Sequence, residues 1–379
     1  MNFRLLLVGN YRLDQQMSML QYHDMLLQEL GRRGVAVESI EPGALFGKIS
    51  AGPLTKWLRY IDKYFLFPGT LKRRVAAAAR AASAEGAQLI VHITDHSNAP
   101  YLTYAGKHSV VSTCHDLLAV RGALGEDTDC PASSFGKLLQ SKILAGLRQS
   151  QLVICVSKAT EGDLNRLAPE TSSTVIPLPL NQPYSVLPHE ETTRRLASAD
   201  SRLLDQPYIL HVGSSLKRKN REGILRIFAR IAGQFPGKLV FAGEKLHTHQ
   251  HQLAAELGLT ERVIEISGPS SSVIEALYNR AFAFVFPSKT EGFGWPIIEA
   301  QACGCPVLAA RTTSLPEVLG DGGFLLDLDD EEGFANALLA LQDSSVREAA
   351  IQRGFRNLER FGTDRIIDQY LAAYQSLTS

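Results

Sequence analysis

None of the five cysteines, at positions 114, 130, 155, 303 and 305, forms a CxxC pair, and Cys303-Gly-Cys305 is too tight for the usual zinc spacing. They read as buried thiols of a reducing compartment. An excess of one charge is also missing. Lys plus Arg is 39 and Asp plus Glu is 39, whereas the phosphates of a nucleic-acid partner demand a basic surplus. Long hydrophobic runs are absent too. The opening "MNFRLLLVGN" carries an apolar run of only about five residues before a glycine, short of a signal core, and no later stretch approaches a bilayer's thickness. The expected location is the cytoplasm, or the inner face of a membrane as a peripheral protein. Two phosphate-binding signatures are missing as well. The first strand-to-helix turn, "VGNYRLDQQMS", holds Gly9 but lacks the second and third glycines that let a dinucleotide pyrophosphate lie on a helix start, and no GxxxxGK[ST] loop occurs. NAD enzymes and the common NTPases drop out.

What remains is a chain of 379 residues, long enough for two domains that each bury a core. "FRLLLVG" predicts a strand, followed by a loop and a helix from Ser18 through Leu30, with Ser18 and Gln21 at capping-box spacing. "RGVAVESI", "AQLIVHIT", "HSVVSTCHD" and "SQLVICVS" are further short β-branched runs with helix-length spacers, the pattern of a parallel sheet covered by helices. Residues 174–188, "TVIPLPLNQPYSVLP", carry four prolines and read as a linker. The pattern then restarts. "PYILHVG", "GKLVFAG", "VIEISG", "AFAFVFPS", "CPVLAA" and "GGFLLD" predict a second parallel sheet. A last helix over residues 364–375, capped by Thr363, places Ile366, Ile367, Tyr370 and Tyr374 on one face. The expected division is 1–180, 200–362, and a helix at 363–379. Ligands of open α/β sheets bind at the carboxyl ends of the strands, and two such sheets facing each other make a cleft.

Two stretches carry chemistry. "HVGSSLKRKN" ends a strand and supplies Lys217, Arg218 and Lys219 just before a helix, where cations and free backbone N–H groups suit an anion. "KTEGFGWPIIEA" puts Glu291 in a loop and, with Pro296 at the first helical position, Glu299 in the first turn. Gly292 and Gly294 leave backbone amides accessible. Carboxylate acceptors for hydroxyls beside donors for phosphate oxygens are what a nucleotide sugar needs.

Glu291 and Glu299, with seven residues between them in "PSKTEGFGWPIIEAQACGCPV", resemble the E-x7-E signature of retaining GT-B glycosyltransferases of family 4. "VGSSLKRKN" is similar to that family's diphosphate-binding stretch, "ICVSKATEGDL" to its last N-domain strand and helix, and "STCHDL" to its histidine-containing loop. The resemblance implies two Rossmann-like doubly wound domains, the first binding acceptor and the second the nucleotide sugar, with the last helix crossing back onto the first. It implies that Glu299 bonds the donor ribose, that Glu291 and His115 contact the transferred sugar, and that amides around Phe293 and Gly294 position sugar and diphosphate. Arg218 and Lys219 would neutralise the diphosphate without metal, and Gly9 would let its loop approach. Ser214 or Ser215 stands where the family has an arginine, leaving Lys217 or Arg218 for that role. Asp95, after a strand, joins the expected substrate-binding residues.

No metal and no cofactor are expected. The pairs "DTD" at 127–129 and "DLD" at 327–329 read as loop caps, because metal-dependent transferases place such a pair after a strand in another architecture. Residues 48–80 hold eight Lys and Arg against the single acid Asp62, interleaved with Trp57, Tyr60, Tyr64, Phe65 and Phe67, a pattern suited to docking on anionic lipid or to a basic helix covering the sheet. The sequence thus reads as a retaining hexosyltransferase acting on a saccharide or lipid-linked saccharide in cell-surface polysaccharide assembly. "EGFGWPIIEA" resembles the family's mannosyltransferases and tilts the donor to GDP-mannose. The alternatives are a non-catalytic GT-B binding or regulatory subunit, and a nucleotide-sugar epimerase.

Overall fold

A computed structural model describes residues 2–49 and 52–378. The chain divides into two compact units, Met1–Asn181 with Thr363–Ser379, and Gln182–Gly362.

The first unit is built on β1 (Phe3–Val8), β2 (Val37–Ile40), β3 (Gln88–Ile93), β4 (Ser109–Cys114), β5 (Leu152–Cys155) and β6 (Ser173–Val175). All neighbours are parallel, in the order β2-β1-β3-β4-β5-β6. Helices cover a parallel sheet on both faces, so central strands read as continuous apolar runs, and Leu5, Leu6, Leu7 and Val8 are fully buried. The order reverses between β1 and β3, which makes the carboxyl ends of those strands a topological switch point. β6 takes up residues expected to begin the linker; Thr174 and Val175 pair with β5 instead.

The helix after β1 runs Met17–Arg32, with Gln16 as N-cap; its side chain does not cap the helix amides but accepts from Asn10 Nδ2 at 2.6 Å. The capping box expected at Ser18 and Gln21 does not form. Gln15 adopts a left-handed conformation (φ 53°) that turns the chain into the helix ahead of Ser18, so Ser18 lies inside the first turn.

The last helix, Thr363–Gln375, packs within this unit and buries the expected face of Ile366, Ile367, Tyr370 and Tyr374. Two hydroxyls pin it. Tyr370 pairs with the Tyr22 hydroxyl at 2.7 Å, and Tyr374 meets His92 Nδ1 at 2.7 Å. Thr113 Oγ1 closes the network, 2.8 Å from His92 Nε2 and 2.9 Å from Tyr22. Burial lowers the His92 pKa to about 3, so the ring is neutral and offers one donor and one acceptor, both used.

The second unit contains β7 (Tyr208–Gly213), β8 (Lys238–Gly243), β9 (Val263–Ser267), β10 (Ala283–Phe286), β11 (Val307–Ala310) and β12 (Phe324–Leu326). Its order, β12-β11-β10-β7-β8-β9, is that of dinucleotide-binding sheets, with the reversal between β7 and β10. A helix at His189–Ala199 follows the proline-rich segment and is tied to the helix Ser271–Arg280 by Arg195 and Glu275 at 2.7 Å.

Tyr374→Phe would strand the buried His92 Nδ1. The expected loss is about 1–3 kcal/mol of unfolding free energy for the first unit, read from its urea transition. A change near zero would show that the helix is held by apolar packing alone.

Candidate active site

The loops after β7 and β10 flank the second unit's switch point. After β7, Lys217–Lys219 form one 3₁₀ turn, closed by Asn220 in the left-handed region (φ 54°). The loop after β10 is stitched to it. Lys289 N–H donates to the Arg218 carbonyl at 2.7 Å, and Arg218 Nη1 donates to the Thr290 carbonyl at 3.1 Å. This register delivers Glu291 to both cations, with Oε1 2.6 Å from Lys219 Nζ and Oε2 2.9 Å from Arg218 Nη1. Lys219 is only 7 % exposed and sits 4.8 Å above the Phe286 ring.

Burial alone would raise the Glu291 pKa, but the charges of Lys219 and Arg218 outweigh it and hold the carboxyl below its ordinary range. Burial lowers the Lys219 pKa against the pull of Glu291. Two cations on one carboxylate leave a surplus positive charge with few waters to screen it.

Residues that the sequence did not reveal hold this arrangement. Thr312, Thr313 and Ser314, after β11, clamp the Glu291 loop. Thr312 Oγ1 donates to the Ser288 carbonyl at 2.7 Å, and Thr313 Oγ1 accepts from Glu291 N–H at 3.0 Å. Ser314 Oγ reaches the carbonyls of Glu291 and Phe293 at 3.0 and 2.8 Å. Three consecutive hydroxyls after a strand were the available signal. Arg221 is fully buried and braces the other loop, donating to the Gly213 carbonyl at 2.7 Å, the Ser215 hydroxyl at 2.6 Å and the Glu244 carbonyl at 2.8 Å. Burial lowers its pKa to about 10, and nothing in the local sequence separates it from the basic residues 217–219 before it.

Gly294 caps the next helix at φ 111°, a conformation L side chains avoid, and a Cβ there would lie 2.9 Å from Leu315 Cδ2. That helix is Trp295–Ala302, so Pro296 is its second residue rather than its first, and Glu299 falls just beyond the first turn instead of within it as the sequence suggests. Glu299 is buried and accepts the Tyr278 hydroxyl at 3.2 Å. Phe293 is buried edge-on against Phe361 at 5.8 Å. Ser214 is half-buried and Lys217 is exposed.

In the first unit, Gly9, Asp95 and His115 lie just past the carboxyl ends of β1, β3 and β4. Gly9 has a packing reason: a Cβ would meet the His23 ring at 2.9–3.1 Å. Asp95 accepts from Asn10 Nδ2 at 2.5 Å and from Ser97 N–H at 2.8 Å, which joins the loops across that switch point. Burial opposes its charge, yet His96, His115 and these donors hold its pKa below the ordinary value. His115 is 6 % exposed and its Nε2 lies 2.9 Å from the Thr94 carbonyl. A carbonyl only accepts, so Nε2 carries the proton, and burial lowers the ring's pKa. Nδ1 is then an acceptor, buried and without a hydrogen-bond partner among the described residues.

Among the described residues no group of three or more His, Cys, Asp or Glu is arranged to hold a metal ion. Asp327 of the second acidic pair bonds Arg311 at 3.1 Å.

Two parallel six-stranded α/β units are the GT-B fold. Residues 194–356 match the family described as glycosyl transferases group 1. The chain is 30% identical to O-antigen chain mannosyltransferase B of Escherichia coli over 250 residues, covering 64% of this chain and 65% of that protein, just under two thirds of its length. In structure it resembles sucrose-phosphate synthase from Thermosynechococcus elongatus, with a TM-score of 0.72, 22% identity, and coverage of 100% and 99%. It also resembles Anabaena HepE crystallised with UDP-glucose, with a TM-score of 0.69, 16% identity, and coverage of 98% and 99%.

A carboxylate with a lowered folded-state pKa stabilises above its unfolded value, about 4.3, and that stability is lost as pH falls through the folded value. Glu291→Gln removes this dependence. The stability gap between wild type and variant should therefore be widest near pH 7 and narrow below about pH 4, measured by urea unfolding of the second unit. A gap that stays constant to pH 3 would mean that the carboxylate is not held by the two cations.

Proposed function

We propose that the protein is a retaining glycosyltransferase that moves a hexose from a nucleoside-diphosphate sugar to a saccharide or lipid-linked saccharide, in cell-surface polysaccharide assembly. GDP-mannose is the favoured donor. The observation that carries this reading is the Arg218–Glu291–Lys219 triangle at the switch point of a sheet with dinucleotide-binding order. A diphosphate brings more negative charge than one carboxylate and competes for both cations. Their exchange frees Glu291 to accept hydroxyls of the sugar, so donor binding itself readies the carboxylate.

As the glycosyl bond breaks, negative charge grows on the departing diphosphate. Arg218 and Lys219, fixed in a poorly hydrated turn, stabilise that charge without reorganising. In this reading they replace the Lewis acid other transferases use. Glu299 accepts ribose hydroxyls from its helix, and Phe293 and Gly294 shape the loop against the donor. The unpartnered Nδ1 of His115 suits a hydroxyl of the transferred sugar. The match over 194–356 encloses every second-unit residue invoked here. The relative named as a mannosyltransferase supports mannose, and the neighbour crystallised with UDP-glucose supports a nucleotide-sugar donor.

The test is a thermal-shift screen of GDP-mannose, UDP-glucose, an ADP-sugar and a dTDP-sugar, followed by transfer assays with NMR assignment of the anomer. Absence of both binding and donor turnover would refute the reading, and an inverted product would refute retention. Glu299→Gln should raise the donor KM about tenfold or more with kcat little changed, as expected for losing a charged hydrogen bond made in ground and transition states alike. An unchanged KM in the folded variant would remove Glu299 from the site.

Excess EDTA should leave the initial rate within about twofold, because removing a true Lewis acid costs several kcal/mol. Loss of activity that Mg²⁺ or Mn²⁺ restores would overturn the metal-free mechanism.

A further inference from the structure

The basic, aromatic segment 48–80 folds in an unexpected way. Ser50 and Ala51 lie outside the described residues. A helix at Thr55–Ile61 passes into a π-helical turn, Asp62–Leu66, and then into the helix Phe67–Ala84. Asp62, the segment's one acid, is buried and accepts the amides of Leu45, Phe46 and Gly47 at 3.2, 3.0 and 2.8 Å and the Tyr11 hydroxyl at 2.6 Å. It pins the widened turn, whose extra residue shifts the side chains around it. π-bulges of this kind concentrate at functional sites.

The result is a concave groove of about 780 Å³ between this segment and the helix Ser134–Gln149, lined chiefly by Trp57, Tyr60, Tyr64, Phe65, Phe135 and Leu138. Trp57 is 57 % exposed and Phe65 78 %, an apolar surface that no element covers among the described residues. On the other side of Tyr60 lies a second cavity of about 550 Å³, where Lys56, Arg59 and Lys63 face the single acid Asp14. Lys63 is 2.6 Å and Arg59 3.9 Å from that carboxylate, and Lys63 Nζ lies 5.1 Å from the Tyr60 ring centre. An apolar trough and a site with two surplus positive charges thus share one wall. Asp14 belongs to the loop after β1, as does Asn10, which bonds Asp95. The cationic end therefore lies beside the carboxyl edge of the sheet.

We propose that this groove holds the apolar chain of a lipid phosphate, with the phosphate at Lys56, Arg59 and Lys63. Charge complementarity favours an anionic amphiphile over a neutral peptide, and concavity favours one inserted chain over a bilayer surface, which lies along a helix face. The volume is that of an ordinary ligand pocket. That the lipid is the acceptor rests on the transferase reading; that the groove binds it does not.

The experiment uses farnesyl phosphate below its micellar concentration, with farnesol, inorganic phosphate and anionic phospholipid vesicles as comparisons. The chain has two tryptophans, and Trp57 is the exposed one. Farnesyl phosphate should give a saturable blue shift of emission, with farnesol at least tenfold weaker and inorganic phosphate inert. Ala145 is exposed and lines the groove, so Ala145→Phe fills it without removing a native contact and should weaken binding at least tenfold. Lys56→Ala with Arg59→Ala should bring farnesyl phosphate down to the level of farnesol. No saturable shift, equal affinity for farnesol, or a shift with vesicles alone would overturn the proposal, the last pointing to surface docking. Binding without turnover of any nucleotide sugar would leave the groove standing and refute the transferase. Transfer to a soluble saccharide without farnesyl phosphate binding would do the reverse.

Discussion

The carboxylate of Glu291 between Arg218 and Lys219 is the contact around which the second unit's site is built. Adjacency of β7 and β10 makes it attainable, since a strand order without that neighbour pair would leave the loop of the cations and the loop of the carboxylate too far apart to meet. As stabilisation it is a poor bargain. Removing charges from water costs several kcal/mol per ion, and an apolar replacement is often no less stable. Arg221 beneath one loop and the Thr312–Ser314 hydroxyls across the other spend further hydrogen bonds on holding the triangle in place. Such support around an unbalanced charge makes sense if the charge is there to meet an anion.

The first unit solves the same topological problem mainly with neutral rings around one carboxylate. Burial lowers the pKa of His23 to about 4 and of His92 to about 3, and lowers that of His115. Each ring therefore serves as a hydrogen-bonding scaffold near neutral pH. Asp95 is the charged exception: burial opposes its charge, and His96, His115 and the bonds from Asn10 and Ser97 N–H outweigh it. The two switch points thus offer different chemistry, one a cationic turn suited to phosphates, the other a buried acceptor suited to a hydroxyl.

The strands were legible because each is a short apolar run ended by glycine or a polar turn, and burial on both faces erases alternation in a parallel sheet. The Arg218, Lys219 and Glu291 cluster was legible as a pattern of residue types, since loops after strands carry it. The errors have local causes. Ser18 has the spacing of a cap, but Gln15 turns the chain earlier. Pro296 suits either of the first two helical positions, so one residue of ambiguity moved Glu299 out of the first turn. Arg221 and Thr312–Ser314 act through tertiary contacts with loops distant in sequence, and no spacing rule points to them.

Asp62 shows the same limit from the side of composition. Eight bases and one acid over residues 48–80 average to a cationic helix, and that average suggests a solvated or interfacial face. The average hides the residue that decides the fold. A buried carboxylate must find donors, and the three amides of Leu45–Gly47 with the Tyr11 hydroxyl satisfy it at the start of the widened turn. Once Asp62 faces inward, Tyr60, Tyr64 and Phe65 are turned toward the helix Ser134–Gln149, and Lys63 is left to pair with Asp14. The minority charge, by being buried, sets where the majority charges and the aromatic rings go.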